Sequence, residues 1–300
     1  MTTFDDDTAV ERVGADLFAA RVDPKWWVIR GPNGGYIAAI LQRAMTDTVG
    51  DAARPARSLT VHFLMPPEAG AVQIETRIER EGGSLTSTSA RLMQGERLIA
   101  TAVGAFSAGR QSVEYSETVM PDVPPPEDVP SKVIQGAPPH AAMFDWKPAI
   151  GPVDFTAGGR AVTGGWFRLR EPQLADPVVL TSYADNWYPS LFFRTREPVG
   201  VPTVDYTVHF RTGLPLPDAD PEDYYLLAFR APLSHDGFVV EDGEIWRLKN
   251  TERIPASEAI NAPTPNASVR CSGTLYPSEA ARSGSSRIPC MARPNGVPTM

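Results

Sequence analysis

Asp185 closes the apolar run Val178 to Ala184 and is followed at once by Asn186, Trp187 and Tyr188. A carboxylate half-shielded by two aromatic rings is harder to ionise than one in water. Its pKa rises toward neutrality, where a carboxylate serves as a general base. The same Asp-Asn pair reads equally as a helix cap or a polar turn. Thr203 opens the run Thr203 to Phe210, and its hydroxyl can hold a water by donating or accepting. Threonine is also an ordinary strand residue. Gly34 and Gly35 stand before the apolar stretch Tyr36 to Met45. Their missing side chains would let a substrate carbonyl approach backbone N–H groups that stabilise an oxyanion. Close packing of a helix on a sheet, which glycine alone permits, accounts for them equally. Trp187 is a candidate wall for a binding groove, whereas Trp26 and Trp27 read as cover for that groove or for the core.

The elements that must position these residues are written twice. Thr-Val-His-Phe occurs at Thr60 to Phe63 and again at Thr207 to Phe210, 147 positions apart. The flanks match as well. Upstream of the first copy, Ile37, Ile40, Leu41 and Ala44 recur with helical period behind the turn Gly31 to Gly35. Upstream of the second, Pro177 to Phe193 is again long and apolar. Downstream of the first copy come the alternating runs 72–80, 86–93 and 97–106, separated by Gly-containing turns as in a β-meander. Downstream of the second come 224–232 and 237–246, also strand-like. A helix followed by several strands, duplicated, outranks any single motif in deciding the fold. His62 and His209 occupy equivalent places in the two copies, which points to a structural role at a seam between the halves. Simple alternation along the second copy puts His209, Thr207, Asp205 and Thr203 on one face.

These residues resemble the acyl-CoA thioesterase II family. The first half is similar to its Gly-Gly-aliphatic helix and Phe-Leu-x-Pro strand end. The second is similar to its Asp-Asn-aromatic helix start (Asp185, Asn186, Trp187, Pro189) and its Thr-x-Asp-x-(Ser/Thr)-x-x-Phe strand (Thr203, Asp205, Thr207, Phe210). The resemblance covers roughly residues 15 to 246. It implies an α+β tandem (double) hotdog, two antiparallel sheets each wrapped around a central helix and paired edge to edge. It also implies an acyl-CoA substrate and catalysis through a water positioned by Asp185 and Thr203, with a glutamine as third member. A homo-oligomer is expected.

Composition narrows the field. Three hundred residues with 42% hydrophobic content suffice for two domains of ordinary size. No run of eighteen apolar residues occurs, so no membrane span is expected. The start, Met1 to Asp7, is acidic and does not read as a secretory signal. Cys271 and Cys290 lack metal-ligand spacing, and a reducing cytoplasm fits them better than a disulfide scaffold. A net charge of −8 without a basic stripe argues against a nucleic-acid partner. No cofactor motif is present, and neither a metal nor another cofactor is expected.

Residues 1–111 are expected as the first hotdog, 112–140 as a Pro-rich linker centred on Pro121 to Pro126, and 141–250 as the second hotdog. Beyond Trp246 the chain departs from the resembled pattern. It turns basic and Pro-rich, with Pro255 where an interior strand would lose a ladder bond. Residues 251–300 are therefore expected as a disordered tail, and the second sheet as lacking its last strand. Glu258 stands near the expected glutamine without a transferable role. Such a loss would leave an incomplete site, so a non-catalytic acyl-CoA or acyl-carrier binding module is the competing reading. A hotdog dehydratase is disfavoured, because its acidic constellation is not recognisable.

Overall fold

The computed structural model describes residues 2–113, 115–133, 136–152, 159–195 and 199–248, and the backbone of 268–275. Apart from 268–275, Glu258, Cys290 and the rest of the expected disordered tail at 251–300 lie outside the described residues.

The central helix of the first half, α2 (Gly34–Val49), follows a short N-terminal helix α1 (Thr3–Thr8) and begins where the Gly-rich turn predicts. Asn33 caps it, its side chain accepting the Tyr36 amide, and Gly50 ends it in the left-handed conformation at φ 61°. Ile37, Ile40, Leu41 and Ala44 are buried as expected, but so are Tyr36, Ala38 and Ala39. Over residues 35–42 the helix is enclosed on all sides, which a small-residue stretch tolerates and a surface helix does not, while Thr46 and Asp47 near its end are exposed.

Around α2 run β1 (Glu11–Arg12), β2 (Leu17–Val22), β3 (Ala56–Phe63), β4 (Gly70–Glu81), β5 (Leu85–Gln94) and β6 (Arg97–Ser107). Their spatial order is β1-β2-β4-β5-β6-β3. The second half supplies β7 (Phe144–Ile150), β8 (Val162–Leu169), α3 (Pro177–Tyr183), β9 (Thr203–Phe210), β10 (Tyr225–His235), β11 (Phe238–Arg247) and β12 (Ser268–Leu275). These are ordered β9-β12-β11-β10-β8-β7. The two sheets join edge to edge through β3 and β9 into one antiparallel array of twelve strands. This is the tandem hotdog.

The repeated tetrapeptide forms that joint. Thr60 lies opposite Thr207, their hydroxyls 3.1 Å apart, with Ser58 opposite His209 and His62 opposite Asp205. Both histidines thus stand on the seam strands, as expected from their repetition.

Two expectations are corrected. The second sheet does not lack its last strand: β12 pairs with β11 on one side and β9 on the other. Its residues occupy the proline-free window between Pro265 and Pro277. The two edges flanking that slot each carry a row of unpaired N–H and C=O groups that demand a partner. Second, α3 ends at Tyr183, so Asp185 follows a helix rather than starting one. The Asn186 side chain donates to the Ser182 carbonyl at 2.6 Å, the acceptor that a continuing helix would give to the Asn186 amide. That amide bonds Tyr183 instead, and Pro189 stands close behind.

The Pro-rich segment carries no α-helix or strand among its described residues, a 3-10 helix beginning only at its end (Pro139–Met143), yet it is held to the second half. Trp166 Nε1 donates to the Pro124 carbonyl at 2.8 Å, and Val129 packs with Trp166, Leu226 and Trp246.

Ending the chain after Asn250 removes β12 and opens both of its neighbours' ladders. The truncated protein is expected to melt well below the full chain and to lose protection in β9 and β11, as read by hydrogen exchange. An unchanged melting temperature would refute this role for β12.

Candidate active site

The ends of two helices meet at one carboxylate. Asp185 lies in the turn after α3, and α2 begins beside it. Its Oδ2 accepts the Gly35 amide at 3.0 Å, at the positive end of the α2 dipole. Its Oδ1 accepts the Thr203 hydroxyl at 3.1 Å. Asn33, besides capping α2, donates through Nδ2 to the Asp185 main-chain oxygen at 2.7 Å. Asp185 as a residue is half-buried.

Local backbone geometry explains why Thr203 reaches inward. The outer face of β9 carries Asp205, Thr207 and His209, as alternation predicts, and the inner face Tyr206, Val208 and Phe210, all buried. Thr203 does not share the outer face. The register between β12 and β9 slips near the strand's start, where Leu275 pairs with Thr203 and Thr274 with Asp205. An extra residue there re-aims the side chain, and the Thr203 hydroxyl lands on Asp185. Strict alternation missed this, because a bulge leaves no sequence signal without its partner strand.

Gly34 and Gly35 permit the close approach. A Cβ on Gly34 would fall 2.6 Å from Asp185 Oδ2 and 3.0 Å from the Phe63 ring. One on Gly35 would fall 2.5 Å from the Ser182 carbonyl oxygen. The Gly35 amide is directed at Asp185, so in this arrangement the pair anchors that carboxylate rather than presenting an open donor. Trp187 is buried. Its Nε1 donates to Thr163 Oγ1 at 2.8 Å, and its ring packs against Trp146 and Tyr188, with centroids 5.3 and 5.1 Å away. It forms part of the wall beside Asp185. Trp26 is core, stacked on Tyr36 at 4.9 Å.

The electrostatics favour the protonated carboxyl. Burial pushes the Asp185 carboxyl up to about 7, against the pull of the Thr203 hydroxyl and the Gly34 and Gly35 amides. The negative charge of Glu241 on β11 adds to the rise. Sequence reasoning missed Glu241 and Asn33. Both had readable signals: an acidic residue on the inward parity of a strand, and an asparagine directly before a helix.

Fold and site together define a hotdog protein with a carboxylate held between its two halves. The description Acyl-CoA thioesterase N-terminal domain matches residues 23–107, and Acyl-CoA thioesterase C-terminal domain matches residues 119–251. The chain belongs to the acyl-CoA thioesterase family, whose members hydrolyse thioesters. Among solved structures it is similar to a conserved protein of unknown function with a hot dog fold from Alicyclobacillus acidocaldarius. Identity there is 26% and the TM-score 0.77, over 93% of this chain and 98% of that one. An acyl-CoA thioesterase II from Mycobacterium marinum shares the fold at 18% identity and a TM-score of 0.69, covering 92% and 97%. So does the tesB protein of Mycobacterium avium subspecies paratuberculosis, at 18% and 0.70, covering 91% and 97%. No curated protein matches the sequence. Among the described residues no helix is long and apolar enough to cross a membrane.

Two outcomes follow from the geometry. Gly35→Ala forces the Ser182 backbone to move. It is expected to cost on the order of 1–3 kcal/mol in denaturant unfolding, and activity falls with the displaced Asp185. A stability equal to the parent's would contradict the close approach.

The second outcome concerns pH. Folded Asp185 holds its proton to about 7, whereas the unfolded residue releases it near 3.8. Between those values the folded state binds more protons, so the Asp185 contribution to stability declines as pH rises from about 4 to about 7. Asp185→Asn should flatten that part of a melting-temperature-against-pH curve. A curve parallel to the parent's over this window would be inconsistent with a raised pKa.

Proposed function

We propose that the chain hydrolyses acyl-CoA to free acid and CoA, with Asp185 as general base and Thr203 orienting the attacking water. The observation that carries the reading is the Asp185 carboxyl, tethered at both oxygens by Thr203 and Gly35 yet raised to about 7. A base of that strength is half ionised at neutral pH and still accepts a proton readily. Thr203 donates its hydrogen to Asp185 and keeps its lone pairs for a water O–H. The water oxygen attacks the thioester carbonyl carbon as Asp185 takes a proton. Collapse of the tetrahedral oxyanion breaks the C–S bond, and the proton passes to the departing CoA sulfur. Oxygen ends in the carboxylic acid and hydrogen on the thiol, so no cofactor enters the balance.

The family matches support the substrate class, and both Asp185 and Thr203 lie within the matched residues. A homo-oligomer in the cytoplasm remains part of the proposal, resting on the acidic, cysteine-poor composition and on the resemblance.

A thiol-release assay over short, medium and long acyl-CoAs tests it. Asp185→Asn is expected to lose ~10²- to 10⁴-fold in kcat/KM, and Thr203→Val about ten- to a hundredfold, the worth of a hydrogen bond to a charged group. The parental rate should climb with pH through about 7. Asp185→Asn within threefold of the parent removes the base from this mechanism. Binding of acyl-CoA with no turnover would assign the chain to the non-catalytic reading.

A further inference from the structure

Glu241 stands on β11 at the parity of Val239, Gly243 and Ile245, all buried. Across the sheet it is in register with Gly273 of β12, and Gly273 with Tyr206 of β9. Tyr206 turns toward α3, where its hydroxyl donates to the Thr181 carbonyl. Residues in one register row share a face, so Glu241 lies on the side of the sheet that holds α3 and the Asp185 turn. Its Oε1 accepts the Ser190 amide at 2.7 Å. Ser190 is five residues beyond Asp185 on that same stretch of chain. No ion pair of the described residues engages Glu241, in contrast to its neighbour Asp242, which lies 3.5 Å from Arg230. A carboxylate under a sheet with no cation paired to it among the described residues is costly to keep, and it shares the sheet face of the Asp185 turn.

We propose that Glu241 is a positioning residue of the hydrolytic site, acting through the field of its carboxylate on Asp185. The inference rests on the reading of Asp185 as the base. The groups facing Asp185 come from three elements and the cap of one of them. Gly34 and Gly35 of α2 and Thr203 of β9 donate hydrogen bonds, Asn33 holds the turn, and Glu241 of β11 brings negative charge. Three donors favour the ionised carboxylate; burial and Glu241 oppose them. Two like charges in one poorly solvated space resist joint ionisation. Glu241 itself is raised by burial and by Asp242, and lowered by Ser190. Without the charge of Glu241 the donors would leave Asp185 a weaker acceptor of the water proton. The plain alternative is that Glu241 merely fastens the Ser190 turn.

Glu241→Gln separates the two, since it keeps the size and an oxygen acceptor for the Ser190 amide while removing the charge. The expected result is an acid limb of kcat/KM against pH displaced to lower pH, with a reduced plateau and a parental melting temperature. Glu241→Asp, which restores the charge, should bring the limb back toward the parent's position. A Glu241→Gln limb superimposed on the parent's overturns the proposal, because a fastening role predicts no displacement. A second measurement needs neither turnover nor a variant. The ¹³C resonance of the Asp185 carboxyl in the full-length parent is expected to titrate in two steps, one of them reporting Glu241. A single step denies the coupling. If Asp185→Asn keeps full activity, the base assignment fails on its own, while the carbon titration still decides whether the two carboxyls interact.

Discussion

The contact between the Asp185 carboxylate and the start of α2 is the constraint around which this molecule is arranged. It requires two helices from opposite halves to approach until backbone touches side chain, and Gly34 and Gly35 are the residues that permit it. Asn33 serves both partners, capping α2 with its oxygen and gripping the Asp185 main chain with its nitrogen. The site therefore exists only when both hotdogs are folded and docked. A single half would leave the Asp185 carboxylate without its amide or the helix without its anion.

That contact also sets the chemistry. A carboxylate at a helix N-terminus, with a hydroxyl donor at its other oxygen, would ordinarily be a weak base. Here dense surroundings outweigh the donors. The walls are aromatic: Trp146, Trp187 and Tyr188 pack beside the turn. The carboxylate is held rigidly by hydrogen bonds and kept reactive by poor solvation, two effects that act in opposite directions on its pKa and together place it near neutrality. Rigidity matters because a base that must reorient before accepting a proton loses much of its advantage.

Support for this arrangement comes from the sheet. The twin Thr-Val-His-Phe strands abut with Thr60 against Thr207, so the repeat meets itself across a local two-fold. β12 fills in the second half the slot that β6 fills in the first. The filling is functional as well as mechanical, since the register slip of β12 against β9 is what carries Thr203 to the inner face. A strand whose sequence bears no resemblance to the first half's meander is thus tied to the geometry of the site through its backbone alone.

Much of this was legible in the sequence. The duplicated tetrapeptide with its matching flanks determined the double architecture, because a repeat must fold twice in the same way. The period of α2 and the Gly-containing turns between the runs at 72–80, 86–93 and 97–106 marked the helix and the strands β3 to β6, since local propensity and core burial agree there, while β1 and β2 were not read. The Asp185 and Thr203 residue types marked the candidate chemistry. What the tertiary structure decided is everything that depends on partners distant in the chain. Asp185 follows α3 instead of leading it because Asn186 takes the Ser182 carbonyl. Thr203 faces inward because of a register slip that exists only against β12. Glu241 matters because a strand far along the chain brings a second charge to the first. Residues 268–275 form a strand despite their Pro-rich context because two open sheet edges lie waiting on either side. Periodicity reports which face of an element is apolar; which neighbour meets that face, and at what register, is settled by backbone pairing and packing that no local pattern encodes.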